Sequence, residues 1–201
     1  MKKLILATAV AASVFTPLAF AQARAFGGLS VGFNLNFANA ANDFRANSTS
    51  FRTGDMSQTA NVQLAYGFAP SDSFVLGIGL MYGPGDFKAG MTTTGGVTYE
   101  LKARDIASFY LEPSFPVTNS TLAYAKVSYQ GMRGETKLST GTTESENFTG
   151  MGYGAGIRTL LGRNVYLQAE FEQIQYTEKT YVGLISKPSA TVGTIGLGYR
   201  F

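Results

Sequence analysis

Six charged residues occur on alternating stretches where they would share a face with glycines and small polar residues: Glu112, Lys126, Arg158, Glu170, Glu172 and Arg200. Glu170 and Glu172 are two positions apart, so on an extended strand both point the same way, as paired carboxylates for acid–base work or a cation site would need. With Lys126 and Arg158 nearby, structural ion pairing is the commoner use of such a cluster. The chain has no histidine and no cysteine. Zinc sites built on imidazole, Ser-His-acid triads and Cys-His pairs are therefore excluded. No residue is assigned a catalytic, cofactor-binding or metal role, and no cofactor is expected.

The segments carrying these charges alternate strictly. From Gly27 onward, Leu29, Val31, Phe33, Leu35 and Phe37 alternate with Gly28, Ser30, Gly32, Asn34 and Asn36. This period of two marks a strand with two unlike faces. It returns at Val62–Phe68, Phe74–Tyr82, Met151–Ile157, Val165–Phe171 and Ile195–Phe201. Residues 121–131 form a less clean strand, with Ala123, Ala125, Val127 and Tyr129 on the apolar face. In residues 99–112 that face is assigned to Tyr99, Leu101, Ala103, Ala107, Phe109 and Leu111, which leaves Asp105 on it, near or beyond an interface. The sum is about eight strands, an even number suited to a small closed barrel.

Connections alternate in length. Ala69–Asp72, Pro116–Ser120 and Gly162–Asn164 are tight turns, whereas 39–55, 84–98, 132–147 and 178–188 are long polar stretches expected as loops. The threonine- and glycine-rich runs Met91–Gly96 and Thr140–Thr143 are expected loop tips, either a binding surface or simply solvated. The Gly152, Gly154, Gly156 series lacks the strand-to-helix setting of a phosphate loop, and inward glycines relieving crowding are the better reading.

Residues 1–21 read as a cleaved secretory leader: Lys2 and Lys3, an apolar run from Leu4 to Phe15, and the small-x-small site Ala19-Phe20-Ala21. Cleavage before Gln22 is expected, with a cut after Ala23 as the alternative; residues 24–201 then form one barrel domain. The formal charge of +3 loses Lys2 and Lys3 with the leader. That leaves no clustered basic face for a nucleic-acid partner.

A soluble lipocalin-like barrel alternates as well, but its interior must supply the apolar core. Here one face is large and apolar, while the other is Gly, Asn, Gln, Ser, Lys, Arg and Glu, which would bury little apolar area and strand its charges. The arrangement that works is inverted: apolar side chains face lipid and polar ones face the lumen. Phe37, Phe68, Phe74, Tyr82 and Tyr199, near strand ends, would then form interfacial girdles.

The stretch Tyr110-Leu111-Glu112-Pro113, the turn that follows and Leu122–Tyr129 are similar to the central hairpin of the opacity-porin type of outer membrane protein β-barrel domain. The chain resembles that family over nearly all of the expected mature length. The resemblance implies an all-β fold: an eight-stranded antiparallel up-and-down transmembrane barrel with short periplasmic turns and longer extracellular loops, in the outer membrane of a Gram-negative bacterium. The last strand is similar to the signal read by the barrel-assembly machinery, with Thr194, Gly196, Tyr199 and Phe201 in the signal positions. That machinery, periplasmic chaperones and outer-membrane lipid are the implied partners.

The reading is an integral outer-membrane barrel serving as a structural or surface-interaction protein, its lumen filled by the six charged residues and its loops open to an extracellular ligand. About eight strands leave an interior just wide enough for side chains. A narrow porin-like channel for small solutes is the alternative, and an enzyme acting on envelope lipid ranks last.

Overall fold

The computed structural model describes residues 23–46, 49–85, 87–94, 97–139, 141, 143–181 and 184–201. The expected leader, and the choice between its two cleavage sites, lie outside these residues. After a 3-10 turn at Ala23–Phe26, the chain forms β1 (Gly28–Ala46), β2 (Thr49–Ser71), β3 (Phe74–Gly83), β4 (Phe87–Thr94) and β5 (Val97–Pro116). It continues through β6 (Thr121–Leu138), β7 (Thr143–Leu160), β8 (Val165–Tyr176), β9 (Lys179–Tyr181) and β10 (Leu184–Arg200). The strands pair antiparallel in the order β1, β2, β3, β5, β6, β7, β8, β10, and β1 closes on β10 from Ser30↔Arg200 to Arg45↔Ile185. β4 runs on beside β5 where β3 stops, and β9 pairs with β10 beyond β8, so the barrel itself has eight strands. Closure leaves no edge at the membrane level, the condition for crossing lipid with strands.

The faces follow the alternation. Phe33, Leu35, Val62, Leu80, Tyr153, Phe171, Ile195 and Leu197 are all exposed on the outer wall, while Asn34, Gln63, Glu112, Lys126, Gln168 and Glu172 are buried inside. Tyr82, Phe37, Phe68 and Tyr199 stand exposed near the ends of the apolar wall. Phe74 is half-buried against the ring of Phe115, 5.3 Å away.

Two expectations need correction. Ala103 belongs to the lumen, not to the lipid face, and is 3% exposed. The β5–β6 ladder breaks between Arg104 and Ala107, and Asp105 takes a φ of 51° there. The extra residue of this bulge reverses the inside–outside parity of everything before it. Asp105 is exposed at the bulge and accepts a hydrogen bond from the Tyr82 hydroxyl at 3.2 Å. The side chains of Tyr99 and Leu101 lie outside the described residues.

The long polar stretches, expected as loops, are largely ladder. β1 and β2 stay in register to Ala46↔Thr49, and β6 and β7 to Lys137↔Thr143. Beyond the apolar wall the outward face meets water and turns polar, so the hydrophobic alternation ends although backbone pairing continues and inward residues such as Ala38, Ala40 and Phe148 stay buried. Among the described pairings β2 and β3 part after Val62↔Tyr82, and β7 and β8 after Gly150↔Tyr176.

Candidate functional site

The lumen is built from inward positions on all eight walls. Five of the six charges singled out in the sequence come together there. Lys126 of β6 lies between two carboxylates of β8, 2.7 Å from Glu170 Oε1 and 3.2 Å from Glu172 Oε2. Arg158 of β7 reaches across to Glu112 of β5 at 3.0 Å. Three carboxylates thus meet two cations, and neutral donors add hydrogen bonds to the two carboxylates of β8. Tyr124 donates its hydroxyl to Glu170 at 3.0 Å, Gln130 donates to Glu172 at 3.1 Å, and Ser128 donates to Glu172 as well.

Arg200 stands apart. Its guanidinium donates to the backbone oxygens of Gly27 and Arg163 at the periplasmic end, where Asn164 in turn donates to the Arg200 carbonyl. It clasps the last strand to the first turn and adds no charge to the central layer.

Several members of the network are not among the six. Arg158 donates through Nε and Nη2 to Gln168 Oε1, and Gln168 Nε2 donates to Asn34 and to Gln63, both at 2.9 Å. Gln63 donates to the Tyr166 hydroxyl at 3.0 Å, so an unbroken chain of side chains links β5 through β7 and β8 to β1 and β2. The Arg158 guanidinium also lies 5.2 Å from the Tyr124 ring and 5.0 Å from the Tyr166 ring, and Lys126 Nζ lies 4.8 Å above Tyr110. These contacts let rings share the burial of the cations. Period-two counting places the residues inward, but it does not say which of them meet across the lumen.

Inward glycines make room for those rings. Gly79 is the register partner of Tyr110, Gly156 of Tyr124 and Gly198 of Tyr166. In each pair the tyrosine ring occupies the space that a Cβ on the glycine would need. The ring covers the bare backbone beside it, and the lumen fills without displacing the wall.

Apolar clusters bound the polar layer on both sides. Towards the periplasm, Phe26 and Ala23 of the first turn fold into the mouth against Val75 and Leu122, with Leu160 and Ala69 beside them. The Ala23 amide donates to Asp72 O at 3.2 Å, and Arg24 pairs with the Asp72 carboxylate, which pins this turn to the β2–β3 connection. Towards the exterior, Phe148, Ile174, Tyr176 and Ala190 pack together with Met132 and Val192.

Of the four C-terminal positions expected to carry an assembly signal, Thr194 and Gly196 face inward, Thr194 donating to Asn36 at 2.9 Å. Tyr199 and Phe201 face outward, their rings 5.1 Å apart in an edge-on contact. Among the described residues no cluster of three or more Asp and Glu could hold a metal ion.

A family model described as outer membrane protein beta-barrel domain matches residues 5–201. Among solved structures, Neisserial surface protein A is similar at 14% identity with a TM-score of 0.54, covering 87% of this chain and 97% of that one. The attachment invasion locus protein of Yersinia pestis, in complex with the heparin analogue sucrose octasulfate, is similar at 15% identity with a TM-score of 0.50. That match covers 87% of this chain and 99% of the other. Comparison with curated protein sequences returns no match.

Proposed function

The chain belongs to the outer membrane protein beta-barrel domain family, and on that premise we propose that it is a sealed surface barrel that anchors extracellular hairpins and conducts nothing. The observation that carries this reading is the order of layers in the lumen. An apolar plug, an ionic layer and a second apolar cluster stand one above another. Each would have to open for solute to pass, and the desolvation of a permeating ion in either apolar layer opposes entry.

The charges stiffen the wall. Glu112, Lys126, Arg158, Glu170 and Glu172 join four strands through direct pairs. The lack of any histidine argues against an enzyme. The hairpins, continued as ladder well past the aromatic rim, hold outward side chains ready to meet an extracellular ligand. The Yersinia protein's complex with a heparin analogue makes sulfated polyanions a sensible first ligand to try.

Thr194, Gly196, Tyr199 and Phe201 serve the assembly machinery before closure, when β10 is still an open edge that strand addition can capture. Leader cleavage falls after Ala21, because a cut after Ala23 would remove a buried residue from the periplasmic plug.

Planar-bilayer recording of the refolded protein tests the central proposal. Silence is expected for the wild type, and also for Arg158→Ala, since both apolar layers survive that change. Reproducible unitary steps in the wild type would replace the sealed reading with a narrow channel.

A further inference from the structure

Just beyond the aromatic rim, the outer surface of β4, β5 and β6 brings like charges face to face. Arg104 and Arg133 are register partners across β5 and β6. Two positions along β5, Lys102 is the register partner of Lys88 on β4. Directly opposed side chains start about 4.5–5.5 Å apart at Cβ, and like charges so placed repel.

Nearby acids engage the two β5 cations, and Glu135 is also the register partner of Lys102. Glu135 forks onto Arg104 at 3.1 and 3.3 Å, and Glu100 lies 3.4 Å from Lys102. None of the ion pairs among the described residues reaches Arg133 or Lys88, and both are exposed. The strand on the far side of β6 does not help: Asn147 stands opposite Arg133, and Glu146 of that strand pairs with Lys179.

We propose that Arg133 and Lys88, flanked by Arg104 and Lys102, form a binding site for the phosphate ester of a lipid in the surrounding outer leaflet. The position selects this occupant. Arg133 follows the exposed rim residue Tyr129 by four positions on the same strand face. At roughly 3.3 Å per residue along a tilted strand this is about 10 Å above the rim, the level of lipid headgroups. A guanidinium presents a fork of donors suited to phosphate oxygens, and basic clusters beside a membrane attract anionic headgroups. A phosphate bound between the opposed pairs would turn their repulsion into attraction. The proposal rests on the membrane placement above.

The test is native mass spectrometry of the full mature chain, refolded in micelles doped with bisphosphorylated lipid A, with the same lipid stripped of phosphate, or with inorganic pyrophosphate. Heat-modifiable gel migration first reports barrel insertion. Retention of bisphosphorylated lipid A is expected, with about tenfold less retention of the stripped lipid and no competition from pyrophosphate. The double variant R133Q/K88Q should lose about tenfold in retention, while K187Q, on β10, should match the wild type. Without phosphorylated lipid, R133Q/K88Q should melt no lower than the wild type, because its repulsion has been removed. Equal retention by R133Q/K88Q, or pyrophosphate binding as tightly as the lipid, overturns the proposal alone. Failure of the wild type to insert overturns the membrane reading together with it.

Discussion

Lys126 donates to Glu170 across 2.7 Å, with the two side chains only 4% and 5% exposed. Removing one partner of such a pair leaves an uncompensated buried charge, which costs about 3–5 kcal/mol. Lys126→Met should therefore destabilise the barrel by about that amount in urea unfolding from lipid vesicles, because Glu170 and Glu172 both lose their cation. The triple variant K126M/E170Q/E172Q should recover most of the loss. A cost under about 1 kcal/mol for the single change would mean that water reaches the layer, against the apolar seals described above.

Asp105 sits at a φ of 51° in the bulge that reverses the parity of β5. Asp105→Asn should be nearly neutral, since Asn tolerates the left-handed region and still accepts from Tyr82. Asp105→Val should cost about 1–2 kcal/mol, as a branched side chain resists that conformation. Equal urea midpoints for the two variants would remove the strain from the account.

The mature chain should begin at Gln22. Intact mass and N-terminal sequencing of protein from outer-membrane fractions check this directly. A start at Arg24 would delete Ala23, whose amide bonds to Asp72 O, and would contradict the plug as a built part of the mature barrel.

Deleting Phe201 should slow assembly in proteoliposomes that contain the barrel-assembly machinery, by several-fold at least. Spontaneous folding into bare vesicles should change little, because Phe201 is 66% exposed on the outer wall and fills no core. Equal slowing in both settings would assign Phe201 to stability and not to recognition.

Most of the wall was legible from one-dimensional pattern, because in a closed sheet a single bit per residue, lipid or lumen, repeats with period two. Leu29 through Phe37 and Val165 through Phe171 read correctly for that reason. The reading failed where the pattern lost its cause. At Ala103 a one-residue bulge inverted the parity, and small residues such as alanine carry too little hydrophobic contrast to reveal the slip. Beyond Phe37 and Tyr129 the outward face is polar and the inward face carries small residues such as Ala38 and Ala40, so strands that continue as ladder looked like loops.

The sequence by itself determined a membrane barrel and the charges that face its lumen, since local alternation decides the side of the sheet on which each residue falls. Only the tertiary structure decided which of those charges meet. Lys126 reaches β8, Arg158 reaches β5, and Arg200 is diverted to backbone oxygens at the rim. Those partners depend on strand stagger and curvature around the closed cylinder, which arise from pairing between residues far apart in the chain. The two apolar clusters are tertiary for the same reason: Phe26 precedes the first strand, and Phe148 directly follows what reads as a polar loop. Nothing within a few residues of either tells it to fold inward.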